Sequence, residues 1–175
     1  MPLVTVGHGR LDRQALSALL TGAGVRSLVD IRRFPGSRAN PDVARDALPR
    51  WLPATGIDYR WDERLGGRRR LAADEPREDP WWRVEQFAAY AAHTRTAEFD
   101  AALREVLSDS VDHVVAVMCS ESVWWRCHRR LVADVAVLRF GAPTTHLMHD
   151  GAPVPHPVAE GARVRADGYV VWDGT

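Results

Sequence analysis

A chain of 175 residues, 46% hydrophobic and 26% charged, is long enough for one core that buries roughly 70% of the unfolded surface, and its composition is that of an ordinary globular protein. Basic and acidic residues balance at 23 each. This argues against a generally basic nucleic-acid coat protein, and no segment approaches the ~20 apolar residues of a membrane span. Two cysteines are too few for a secreted disulfide framework, and Met1-Pro2-Leu3-Val4 lacks a secretory layout, so reduced thiols and a cytoplasmic location are expected.

Leu3-Val4-Thr5-Val6 reads as a first strand that stops at Gly7-His8-Gly9, and Leu11 to Gly24 follows at helical spacing through Leu16, Leu19 and Leu20. Val25 to Ile31 is a second strand that delivers Asp30, Arg32 and Arg33 at its end, before Phe34-Pro35-Gly36-Ser37-Arg38 makes a loop. Asp42 to Leu52 predicts a helix that Pro49 ends or kinks, and Gly56 to Trp61 a third strand. Leu65-Gly66-Gly67-Arg68-Arg69-Arg70 and the charged stretch to Pro80 form a surface excursion, with residues 66–80 a candidate lid.

One or two helices occupy Trp81 to Leu107. Val114-Val115-Ala116-Val117-Met118 is apolar enough for a central parallel strand, and Cys119 ends it. A helix from Cys127 to Phe140, a fifth strand over Thr144 to His149, and a β-hairpin around Asp167-Gly168 complete the chain. Strands alternating with helices imply an α/β fold: a mostly parallel sheet covered on both faces, a Rossmann-like three-layer sandwich with a C-terminal hairpin. Residues 1–150 make the α/β domain, and 151–175 an extension packed on it.

Ligands of such sheets bind outside the carboxyl ends of the strands, where Gly7-His8-Gly9, Asp30 to Arg38 and Cys119 to Arg129 all fall. Together with Leu65-Gly66-Gly67, Cys119-Ser120-Glu121 and Cys127-His128-Arg129-Arg130, these residues resemble the bacterial and archaeal family known as domain of unknown function 488, over Val4 to about His149. The resemblance implies an α/β sandwich domain of the cytoplasm with these residues as its signature, and no assigned reaction.

Cys127, expected at a helix N-terminus where the macrodipole favours thiolate, is the better nucleophile candidate, with Cys119 second. His128 should point about 100° away around that helix, leaving Glu121 or His8 as base. A phosphatase or rhodanese loop is disfavoured, because Cys119 and Arg126 enclose six residues, one more than that loop. Metal ligation by Cys119, Cys127, His128 and His8 is a weak alternative without a CxxC pair, so no metal is assigned, and no cofactor is required.

Every basic residue is arginine, whose planar fork suits phosphate. Arg32, Arg33, Arg38, Arg68 and Arg129, with Ser37, Gly66, Gly67 and His128, suggest an anion pocket; Trp81-Trp82 and Trp124-Trp125 could stack on a base, with core packing or shielding of the site the favoured role. The leading expectation is a hydrolase or group transferase acting on a phosphate-bearing ligand, a nucleotide or nucleic-acid component, with Glu121 and Asp30 as acid/base groups. A non-catalytic nucleotide or nucleic-acid module and a cysteine-dependent redox enzyme are the alternatives. No membrane partner is expected, and oligomeric state stays open.

Overall fold

The computed structural model describes residues 1–175. Its elements are β1 (Leu3–Gly7), α1 (Arg13–Gly22), β2 (Val25–Asp30), α2 (Leu48–Trp51), β3 (Asp58–Trp61), α3 (Glu85–His93), α4 (Ala97–Asp112), β4 (Val114–Cys119), α5 (Arg129–Phe140), β5 (Thr144–Leu147), β6 (Pro153–Pro155), β7 (Ala162–Val164) and β8 (Val170–Trp172). The main sheet has the order β3-β2-β4-β1-β5-β6, while β7 and β8 pair as a separate hairpin. β1 to β5 are parallel and β6 runs antiparallel along β5.

Side chains alternate across the strands, so each face of the sheet builds its own core. Leu3, Val29, Ile31, Val115 and Val117 face α4 and α5, while Val4, Val6, Leu28, Ala116 and Met118 face α1 and α2. α4 shows how locally determined these elements are. Thr96 caps it by accepting the Phe99 N–H, Glu98 and Asp100 favour its positive end, and Phe99, Ala102, Leu103 and Val106 bury one stripe.

The stretch 42–52 departs from the expected helix. It is a 3₁₀ turn at Pro41–Val43 and the single helical turn of α2, continued by a 3₁₀ turn at Leu52–Thr55. Pro49 lies in the first turn of α2 rather than at its end, because a missing N–H costs nothing there. The fifth strand stops at Leu147, and β6 is an edge strand that the pattern of Pro153 and Pro155 hides. The C-terminal segment is built into the core: Trp172 is fully buried, with Val170 and Ala159, against Trp82 and the α5 face.

The strand order decides where a ligand can sit. β4 lies between β1 and β2, and the chain leaves β4 toward β5 on one side but leaves β2 toward β3 on the other. Such a reversal opens a crevice at the carboxyl ends of the strands. Gly7 lies beside Cys119 there, and Asp30 beside Met118.

Candidate active site

A cleft of about 450 Å³ occupies this crevice, and its walls include His8, Arg32, Arg33, Ser37, Gly67, Arg68, Cys119, Glu121, Cys127 and His128. Asp30, Arg38, Gly66 and Arg129 lie outside the lining. Arg38 is exposed, and the other three are buried supports.

Cys127 does not begin the helix. It is extended (φ −124°, ψ 152°) just ahead of α5, and His128 is the helical cap. The 100° separation expected for consecutive helical residues therefore does not apply, and His128 Nδ1 lies 3.5 Å from Cys127 Sγ. Nε2 of the same ring is 3.2 Å from the Ile31 carbonyl. An N–H is needed to bond a carbonyl, so Nδ1 is the atom left to exchange a proton with sulfur. Tyr90 sets the ring's tilt by an edge contact at 4.9 Å.

Both cysteines are free, and their sulfurs are 2.6 Å apart. Two thiolates cannot form side by side, so the pair ionises once. Burial and the neighbouring Cys127 push the Cys119 thiol well above its ordinary value. Burial also opposes the Cys127 thiolate, but the Cys119 hydrogen bond, His128 and Arg129 outweigh it and hold Cys127 well below the usual thiol value. The Arg129 backbone N–H adds a contact to Cys127 Sγ at 3.5 Å.

The guanidinium of Arg129 is turned away from the cleft. Its Nη2 donates to the Glu121 carbonyl at 2.6 Å and the Ser122 carbonyl at 3.4 Å, and its Nη1 to Thr5 Oγ1 at 3.3 Å. It holds the loop that joins the two cysteines. Asp30 has an analogous task, since Arg32 Nε and Nη2 clamp its oxygens at 2.8 and 2.6 Å and Tyr59 donates to it at 2.7 Å. Burial and Asp30 push the Tyr59 phenol up. Arg32 Nη1 in turn donates to His8 Nε2 at 3.2 Å, occupying the lone pair a base would use, and His8 Nδ1 is 3.0 Å from the Gly9 carbonyl. Burial, then Arg32, lowers the His8 pKa.

Glu121 is exposed, and its Oε1 accepts the Val123 N–H at 3.4 Å. It is the one carboxylate on the cleft wall. No three His, Cys, Asp or Glu side chains converge as a metal site would require.

The signature glycines are explained by close approach. A Cβ on Gly7 would lie 1.7 Å from the Glu121 carbonyl oxygen, one on Gly66 2.8 Å from the Arg33 backbone, and one on Gly67 2.9 Å from His128 Nδ1. Arg68, next in line, is the one non-glycine residue with positive φ, at 56°. Sites of this kind concentrate such backbone strain.

Phe34, Gln86, Phe87, Tyr90 and Arg126 also line the cleft, and sequence reasoning missed them as site residues. Gln86, Phe87 and Tyr90 come from α3, whose approach depends on tertiary packing. The tryptophans take packing roles rather than offering a platform in the cleft: Trp82 is in the core, and Trp124 stacks on His146 at 4.3 Å and 3°.

The family model described as "Domain of unknown function DUF488" matches residues 12–136. It includes every signature segment except Gly7-His8-Gly9. No curated protein and no solved structure matches the chain.

Proposed function

The chain belongs to the DUF488 family, and from its cleft we propose an enzyme that hydrolyses or transfers a group of a phosphate-bearing ligand through the Cys127 thiolate. The observation that carries this reading is the buried Cys127 sulfur, with His128 Nδ1 at 3.5 Å, at the base of a cleft walled by Arg33, Arg68 and Arg126. A cysteine nucleophile needs a lowered pKa, an adjacent base and a third group to orient that base, and the Ile31 carbonyl supplies the third.

The sulfur attacks the electrophilic carbon or phosphorus of the substrate. A bond to sulfur forms as the bond to the leaving group breaks, and the leaving group takes the proton from His128 Nδ1. Water or an acceptor hydroxyl then displaces the thiolate while His128 takes its proton, which restores the starting state. The rim arginines hold the anionic part of the substrate, and Glu121 is placed to assist at the open side.

The test is alkylation by iodoacetamide from about pH 5 to about pH 9, with mass spectrometry to locate the label. Cys127 is labelled near neutrality and Cys119 is not, and a nucleotide that raises Tm slows the labelling. Labelling of Cys127 no faster than an ordinary thiol at neutral pH removes it as nucleophile.

The 2.6 Å sulfur contact favours a second reading, in which a disulfide-bearing substrate is reduced to two thiols as the pair is oxidised to a disulfide, and a dithiol reductant then returns the pair to the dithiol while itself becoming a disulfide. That cycle needs both sulfurs. Turnover retained in Cys119→Ser excludes it and supports the first reading.

A further inference from the structure

Beside the nucleophile cleft lies a groove of about 810 Å³ walled by Arg33, Arg68, Arg69 and Arg70, and Glu75 is its one carboxylate. Elsewhere arginines commonly meet carboxylates, as in Arg60–Asp109, Arg95–Asp79 and Arg139–Asp100. In the groove Arg33, Arg68 and Arg70 have no carboxylate partner, and Arg69 reaches Glu98 only at 3.7 Å. Burial, then the neighbouring Arg33, lowers the pKa of Arg69. Glu75 forms no ion pair with these arginines, and one of its oxygens accepts the Ala72 N–H at 3.1 Å.

Groove and cleft are continuous, sharing Arg33, Phe34, Arg68 and Gln86. At their junction Phe34 is 61% exposed. The guanidinium of Arg33 lies over the ring at 5.4 Å from its centroid and that of Arg68 at 5.8 Å, so the exposed phenyl is tied to two cations of the groove.

We propose that the groove is a second phosphate subsite, so that the substrate carries consecutive phosphates: one beside Cys127, the next on Arg68, Arg69 and Arg70, with a nucleobase on Phe34. This rests on the phosphate-ligand reading of the cleft and extends it to a nucleotide with more than one phosphate, free or within a single strand. Arginine forks bind phosphate oxygens in pairs, and a phenyl face stacks any base.

The experiment is calorimetric titration of the full chain with inorganic phosphate, AMP, ADP and a short oligothymidylate, repeated on Arg70→Ala and Phe34→Ala. ADP or the oligonucleotide binds about tenfold or more tighter than AMP. Arg70→Ala removes that advantage while leaving AMP affinity unchanged, and Phe34→Ala weakens AMP, ADP and oligonucleotide but not phosphate. A lead for ADP identifies a free nucleotide, and a lead for the oligonucleotide with steep salt dependence identifies a strand. Equal affinities for AMP, ADP and oligonucleotide overturn the second subsite and leave the cleft reading standing. Loss of all binding, phosphate included, from the wild-type chain overturns both. Unchanged far-ultraviolet dichroism and ligand-free alkylation rates verify that the variants are folded.

Discussion

His128 follows Cys127 in the chain, and the pair meets only because Cys127 keeps an extended backbone while His128 turns into the helix. The chemistry of the cleft depends on that one residue of difference. In His128→Ala the Cys127 thiolate loses a partner, and its alkylation midpoint moves to higher pH. Once that midpoint passes neutrality, the rate at neutral pH falls by about tenfold for each further unit. An unchanged pH profile would show that the ring serves packing alone. Asp30, expected as an acid/base group, and Arg129, expected as an anion holder, are engaged in holding Arg32 and the 119–122 loop.

At the scale of elements, the loop at Gly66-Gly67 joins the cleft to the helical layer. Tyr90 from α3 donates to the Leu65 carbonyl at 2.6 Å, and Arg33 Nη1 to the Arg68 carbonyl at 2.9 Å. The loop therefore runs against His128 without space for a side chain. Gly67→Ala pushes on Nδ1, the atom facing Cys127. Its expected signature is a raised Cys127 alkylation midpoint together with a drop in Tm of a few degrees, since overpacking costs ~1–3 kcal/mol. Wild-type values of both would mean that the loop yields without disturbing the ring.

Across the whole molecule, a chain of polar contacts links the C-terminal segment to the cysteine loop. Trp172 Nε1 donates to Asp134 at 2.8 Å, and His156 Nε2 lies 2.7 Å from Asp134. His156 Nδ1 is 2.9 Å from His146, which is 2.6 Å from Thr5, the acceptor of Arg129. Trp172→Ala removes the largest buried side chain of the segment and costs ~3–5 kcal/mol in urea denaturation, where a cost under ~1 kcal/mol would mark the segment as an appendage. Burial, then His156 and Arg129, lower the pKa of His146 from 6.5 to about 3.

The unfolded chain therefore takes up a proton on His146 below pH 6.5 that the folded chain refuses until about pH 3. Stability is full above this window and falls within it, at up to ~1.4 kcal/mol per pH unit for such a group. His8 and His93, lowered mainly by burial, act in the same direction. Urea midpoints measured at pH 7.5 and pH 5 should differ accordingly, and equal midpoints would contradict neutral burial of these rings.

The sequence by itself determined the alternation of strands and helices from β1 to β5, the parallel sheet, the buried central strand at Val114–Met118 and the segments that meet at its carboxyl edge, but not the edge strand β6. Those features follow from local periodicity, glycine and proline punctuation, and burial of each segment on its own. Where proline spacing competed with helical periodicity, at 42–52, local reading failed. Only the tertiary structure decided that β4 lies between β1 and β2, that Cys127 faces His128, that Arg32 is clamped by Asp30, and that Phe34 rather than a tryptophan stands at the cleft. The strand order and the residue at the cleft are choices between distant segments, while the Cys127–His128 and Asp30–Arg32 contacts are choices of local backbone and side-chain geometry that the surrounding packing fixes; a one-dimensional pattern records how buried a residue should be without recording which neighbour will bury it.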